Sequence, residues 1–289
     1  MQNPWLIILS LLPWLTGVCC AQPPSEQVRY MADSQDYVDA INNNSANSTL
    51  EASNLLVLKQ LDKSYHHEYV SLARIQYFMD QGEAVCVANK IATPERSVKY
   101  IFSHPVNVHI SHRLYQQQTL PPPPPEVLNE QGEIISLNDL FAAQPLQTIL
   151  LPFQRSFGEA LDQQIALVPN KNKVIYQGGD LHDSEVDMFI KQRGDYLLTY
   201  PTTIYANDRA LRNISMRSYA IAGQPKYIIS RVMCATTPQT QVHIQKVNQA
   251  LKRLYVGSKL LDTHLHWLPD AEHDTISTYF QQATDVIRH

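Results

Sequence analysis

The stretch Thr93-Pro94-Glu95-Arg96 is the part of this chain whose residue types and order are best suited to chemistry. A threonine followed by proline is a helix-start signal, with Thr93 as N-cap and Pro94 at the first helical position. Arg96 then falls in the first turn, where the partial positive charge of a helix N-terminus disfavours a cation. Such an arginine either points into water or is held for an anion. Its planar fork matches a carboxylate with two parallel hydrogen bonds. Two sets of histidines have spacings that could ligate a metal: His109 with His112, and His264 with His266 and His273. His264 and His266 would share a face on a strand. No cysteine or acidic cluster completes either set, so no metal is expected. His66 and His67 precede a strand and are expected at the surface. No Gly-x-Ser-x-Gly elbow, Walker loop or dinucleotide glycine pattern occurs, and no cofactor is expected.

The elements that must position these groups belong to a chain of 289 residues, enough for two ordinary domains or one large one. Charged residues make up 17% and the net charge is -4, which argues against a nucleic-acid partner. Residues 1–21, "MQNPWLIILSLLPWLTGVCCA", read as a signal peptide with mature start near Gln22. Its apolar core, Trp5 to Val18, is short and interrupted by Pro13, and no Lys or Arg precedes it. No other segment approaches the ~20 apolar residues of a membrane span, so an exported, soluble protein is expected. Only Cys86 and Cys234 remain after such cleavage. In an oxidising compartment two cysteines suggest one disulfide; two buried free thiols are the alternative.

Strand and helix signals alternate. "VRYMA", "HEYVSL", "AVCVAN", "QTILLPF", "NKVIYQ" and "DYLLTYP" read as strands. "RIQYFMDQGE" is a helix closed by Gly82, "SLNDL" a helical turn capped by Ser136, and "SFGEALDQQIA" a helix. "SEVDMFIKQRG" reads as a helix ending at Gly194. Later, "RSYAIAG" and "KYIISRVMCATT" read as strands, "QVHIQKVNQALKRLY" as a strongly amphipathic helix, and the tail as another helix. The prolines at 121–125 favour a stiff polyproline spacer. This alternation predicts an α/β fold with mostly parallel sheets.

In order and spacing, several stretches resemble the bacterial extracellular solute-binding proteins of family 3, which have the type II periplasmic binding-protein fold. They are "RIQYFMDQGEAVCVANKIATPERSVKYIFSHPV", "ISLNDLFAAQPLQTILLPFQRSFGEALDQQI", "MFIKQRGDYLLTYP" and "VNQALKRLY". The cysteine before "TPER" is similar to a divergent proteobacterial branch of that family. The resemblance covers nearly all of the mature chain. It implies two lobes, each a mostly parallel sheet flanked by helices, with two hinge crossings near Leu114–Leu120 and Met216–Ile221. Lobe 1 would hold residues 22–115 and 222–289, and lobe 2 residues 116–221. Cys86 and Cys234 would then share a lobe.

The resemblance also implies an interlobe cleft with Arg96 on the ligand carboxylate, helped by Thr93. Asn89 and Ile91 stand where small polar residues line the cleft in amino-acid binders. Gln154, Arg155 and Ser156 form the matching turn of lobe 2, unless that turn is simply capped. Counting from Asp195, itself expected to be structural, the family's ammonium-binding acid falls at Tyr200. A tyrosine cannot neutralise an ammonium as a carboxylate does. An acidic or aromatic ligand, a peptide-like anion, or an empty cleft all stay open. Glu95 and Glu159 are the nearest carboxylates for acid–base work and nothing singles them out, so no catalytic residue is expected. The expected function is capture of a small anionic ligand for import by a monomer that works with an importer permease. The alternative is a periplasmic sensor of the same fold that signals to a membrane receptor.

Overall fold

In the computed structural model residues 27–176 and 181–288 are described; the expected signal peptide lies outside them. The chain runs β1 (Arg29–Ala32), α1 (Gln35–Asn42), α2 (Thr49–Leu58), β2 (His67–Tyr69), α3 (Leu72–Asp80), β3 (Val85–Lys90), α4 (Pro94–Lys99), β4 (Tyr100–Phe102) and β5 (Asn107–Ile110). It continues with β6 (Arg113–Gln117), α5 (Leu137–Ala143), β7 (Ile149–Pro152), α6 (Glu159–Leu167), β8 (Lys173–Tyr176), α7 (Leu181–Ile190), β9 (Tyr196–Thr199), α8 (Pro201–Ala206), α9 (Asp208–Leu211) and β10 (Met216–Tyr219). It closes with β11 (Tyr227–Ala235), α10 (Pro238–Val256), α11 (Lys259–His266) and α12 (His273–Arg288).

These strands form two sheets, one per lobe. The first has six strands, ordered β2-β1-β3-β11-β4, with β5 also paired to β11. The second has five, ordered β10-β6-β9-β7-β8. The strand–helix–strand units pair in parallel as the alternation predicts: β1 with β2 and β3, and β7 with β8 and β9. The sheets are nevertheless mixed, because β11, β6 and β10, which lead to and from the lobe crossings, pair antiparallel with their neighbours. The chain leaves the first sheet after Ile110, enters the second at Arg113, and returns between Tyr219 and Tyr227.

Each sheet is buried on both faces, and alternation sorts its side chains. Tyr30, Cys86, Val232 and Cys234 point to one side of the lobe 1 sheet, toward Ile244, Val247 and Leu251 of α10. Met31, Val85, Val87 and Met233 point to the other, toward Ile75 and Met79 of α3. In lobe 2, Ile149, Leu151, Tyr196 and Leu198 face Leu140 and Leu161, while Leu150 and Leu197 face Val186 and Phe189. Cys86 and Cys234 are direct partners across the antiparallel β3–β11 pair and form a disulfide, with Cα atoms 4.1 Å apart.

Several expectations need correction. α7 ends at Ile190, and the left-handed turn residue is Gln192. Gly194 serves another purpose: a Cβ there would come within 2.6 Å of Leu150, so glycine allows the chain to press onto β7. His264 and His266 lie on helix α11, not a strand, so they do not share a face. His264 is buried, accepting from the Val108 amide through Nε2 and contacting the Leu260 carbonyl through Nδ1. His67 is buried among Tyr30 and Tyr37 rather than at the surface. The proline run lies against lobe 2, where the side-chain amides of Gln116 and Gln144 donate to the Pro121 and Pro122 carbonyls.

Candidate functional site

Between the lobes runs a cleft of about 1060 Å³, continuous past Arg96 and Arg155 with a smaller chamber of about 420 Å³. Its lobe 1 wall is built from the ends of β1 and β3 and the start of α4. Thr93 caps α4, its Oγ1 accepting from the Arg96 amide at 3.3 Å. The Thr93 hydroxyl proton remains free to donate. Arg96 turns back over the helix start, where Nη1 donates to the Ile91 carbonyl at 3.3 Å. Among the described residues no carboxylate lies within ion-pair distance of it. Burial pushes the Arg96 pKa down, and Asp162 across the cleft, Glu95 and Tyr100 only partly offset this.

Lobe 2 presents the turn after β7 and the start of α8. Arg155 is mostly buried, at 16% exposure, and pairs at 3.0 Å with Glu185, which is fully buried. Glu185 also accepts from Tyr176 at 3.0 Å and Thr199 at 2.5 Å. Burial works against the Arg155 charge, but Glu185, Tyr200, Tyr176 and Asp33 outweigh it and raise its pKa. Ser156 donates to Asp162 at 2.5 Å and accepts from the Gly158 amide, so its hydroxyl serves the turn. Gln154 is exposed, with a positive φ of 58°. Tyr200 precedes Pro201 at the start of α8 and stacks on His112 at 3.9 Å, with His109 at 4.9 Å. Burial raises the Tyr200 pKa to about 12, against the opposing pull of Arg155.

The structure therefore brings Thr93, Arg96, Gln154, Arg155, Ser156, Tyr200 and Asn89 to one cleft. They are not equally available to a ligand. Asn89 lines the wall, but its Oδ1 accepts from Asn54 at 2.8 Å and Asn107 at 3.0 Å. Two residues that the sequence reading passed over also line it. Asp33 follows β1 and pairs with Lys90, at the end of β3, at 3.5 Å. Burial opposes the Asp33 charge, but Lys90 outweighs it and holds the carboxyl below its usual range. Both sit at carboxyl ends of parallel strands, where ligands bind in open α/β sheets, and that rule was the available signal. Around Arg96 the cleft thus has two ion pairs, Lys90–Asp33 and Arg155–Glu185. Asp195, as expected, is structural, accepting from the amide and hydroxyl of Thr148. Among the described residues no group of three or more His, Cys, Asp and Glu side chains converges to hold a metal.

At the sequence level the chain matches no family model and no curated protein. Its architecture does match solved structures. A histidine kinase sensor domain with similarity to periplasmic binding proteins superposes with a TM-score of 0.59 at 11% identity, covering 84% of this chain and 96% of that one. The arginine-, lysine-, histidine-binding protein ArtJ from Geobacillus stearothermophilus gives 0.58 at 13% identity, with 85% and 98% covered. The fold is that of the type II periplasmic binding proteins. A structure from the glutathione import system of Streptococcus mutans, which involves GshT and the cystine ABC importer TcyBC, also shares this fold, with a TM-score of 0.52, 18% identity and 76% and 87% coverage. No helix among the described residues is long and apolar enough to cross a membrane.

Proposed function

We propose that this protein is an exported solute-binding protein that takes a small carboxylate-bearing ligand between its lobes and performs no chemistry on it. The observation that carries this reading is Arg96. It is a partly buried cation at the cleft wall whose charge is disfavoured by burial and answered by no carboxylate in contact. A ligand carboxylate would supply the missing partner through a two-bond contact, with Thr93 adding a donor. The likeness to binding proteins for amino acids supports capture without turnover. The test is a thermal-shift screen of small carboxylates, because a ligand bound only to the folded state raises its stability by mass action. A stabilising carboxylate should lose its effect on Arg96→Gln, while the unliganded protein melts nearly unchanged. Stabilisation that survives this substitution would refute the assignment.

A second reading, a sensor that signals to a membrane receptor, is favoured by the likeness to the kinase sensor domain and by Tyr200, which stands where the sequence resemblance implies an ammonium-binding acid. The two readings separate in cells. Deleting the gene should abolish uptake of the stabilising ligand if the partner is an importer. Unchanged uptake with loss of a ligand-dependent response would select the sensor.

A further inference from the structure

A carboxylate on Arg96 uses only the charged part of the cleft, and more of the cleft wall is apolar than polar. The apolar surface begins beside the cations. Phe153 directly precedes Gln154 and Arg155 in the turn after β7, lines the cleft, and leaves 42% of its surface open. Tyr205 of α8, Leu50 of α2, and Trp267 and Leu268 after α11 line the cleft as well. The Tyr205 hydroxyl donates to Glu272 at 3.1 Å, so its polar end is satisfied and its ring is what it offers a ligand. A mostly apolar wall with a few fixed polar groups is the usual make-up of a small-molecule site. Three of these five residues are aromatic, and aromatic rings pack on one another in edge and offset contacts that add to simple area burial.

The same wall is poorly supplied for an ammonium. The carboxylates that line the large cleft are Asp33, Asp36, Asp39 and Glu51, and each is engaged. Asp33 pairs with Lys90, Asp39 accepts from Gln35 at 2.8 Å, Glu51 accepts from the Asn47 amide, and Asp36 also has a partner. An ammonium attached next to the ligand carboxylate would give up its hydration among Lys90, Arg96 and Arg155. Resting on the carboxylate reading above, we propose that the cleft takes aromatic carboxylates that carry no ammonium group. The carboxylate lies on Arg96, and the ring packs on the apolar wall that Phe153 opens.

The probes are 3-phenylpropanoate, phenylalanine, propanoate, hexanoate and 3-phenylpropanamide, titrated into the purified protein by calorimetry and thermal shift. Phenylalanine adds only the ammonium, propanoate lacks the ring, hexanoate replaces it with an aliphatic chain, and the amide lacks the charge. 3-Phenylpropanoate should bind at least about tenfold more tightly than phenylalanine, propanoate or the amide. It should exceed hexanoate by about threefold or more. Phe153→Ala should weaken 3-phenylpropanoate by about fivefold, while the unliganded protein melts nearly unchanged because the side chain is largely open. No binding of 3-phenylpropanoate, equal binding of phenylalanine, propanoate or hexanoate, or indifference to Phe153→Ala would each overturn the aromatic assignment. In any of these cases a small carboxylate whose binding depends on Arg96 keeps the carboxylate reading on its own. An amide that binds as tightly as the acid would remove both.

Discussion

Lobe 1 and lobe 2 each bring a strand, a turn and a helix to the cleft with an arginine on the turn side, and the two arginines are held in opposite ways. Arg155 in lobe 2 rests on the fully buried Glu185, which also gathers Tyr176 and Thr199. Arg96 in lobe 1 has, among the described residues, only the Ile91 carbonyl as a side-chain partner. A guanidinium already neutralised inside its own lobe has less to gain from a ligand carboxylate than one without a counter-charge, and the proposed carboxylate site rests on that difference. The lobes also differ in how they are fastened. Lobe 1 ties β3 to β11 with a disulfide and buries neutral histidines; lobe 2 anchors its turn with an ion pair.

Acid should produce the largest effect and should strike lobe 1. Burial lowers the pKa of His67, His243 and His264 to about 4, and each packs in that lobe. These histidines are neutral in the fold and free to protonate once unfolded. Their contribution is therefore fully present above the unfolded value of about 6.5 and is lost as pH falls toward about 4. Each tenfold change in proton affinity is worth ~1.4 kcal/mol, so three such groups together carry several kcal/mol. Urea midpoints at pH 7 and pH 4.5 should differ accordingly, and hydrogen exchange at the lower pH should show lobe 1 amides losing protection first. Equal loss in both lobes would break the comparison.

The ion pair tests lobe 2. Glu185→Leu strands a buried guanidinium, which typically costs ~3–5 kcal/mol. Replacing both partners, Arg155→Met with Glu185→Leu, should recover much of that loss in urea unfolding. Arg96→Gln should cost far less than Glu185→Leu. If it costs as much, Arg96 is scaffold too and the contrast between the arginines fails. Breaking the disulfide with Cys86→Ala and Cys234→Ala should cost ~2–4 kcal/mol. Unreduced protein should yield the Cys86–Cys234 peptide by mass spectrometry, and two free thiols would contradict the bond.

The strands were the legible part of the fold. Alternating β-branched and aromatic runs such as "VRYMA" and "KYIISRVMCATT" must bury both faces, and they do so in β1 and β11. Hidden helices were the illegible part. In α8 the run Thr202-Thr203-Ile204 is β-branched, and only Tyr200-Pro201 announces a start. α1 carries its signal in the sequence, with Ser34 capping the Tyr37 amide and Tyr37, Val38 and Ile41 facing inward, yet no helix is read there. In α11 the order His264-Leu265-His266 imitates a strand, and Leu260 and His264, one helical turn apart and both buried, reveal the true period. At the site, the helix-start signal led to Arg96. The pairing of Arg155 with Glu185 depends on residues far apart in sequence, brought together only by the β7–β9 arrangement.

Asn89 sharpens the comparison at its smallest scale, because it lines the lobe 1 wall while its side chain works inside the lobe. Its φ of 61° is left-handed, a conformation asparagine tolerates better than most residues. Its single amide oxygen receives both Asn54 and Asn107, which ties the end of β3 to α2 and β5. Asn89→Ala removes that acceptor from two buried amides and adds backbone strain, for a cost of about 2 kcal/mol. Asn89→Gly relieves the strain but not the lost acceptor and should fall about 1 kcal/mol short of that cost. Asn89→Asp keeps an acceptor for both donors and should come nearest to the parent in urea unfolding. Should Asn89→Asp instead unfold as readily as Asn89→Ala, the shared oxygen is not what holds this corner of lobe 1.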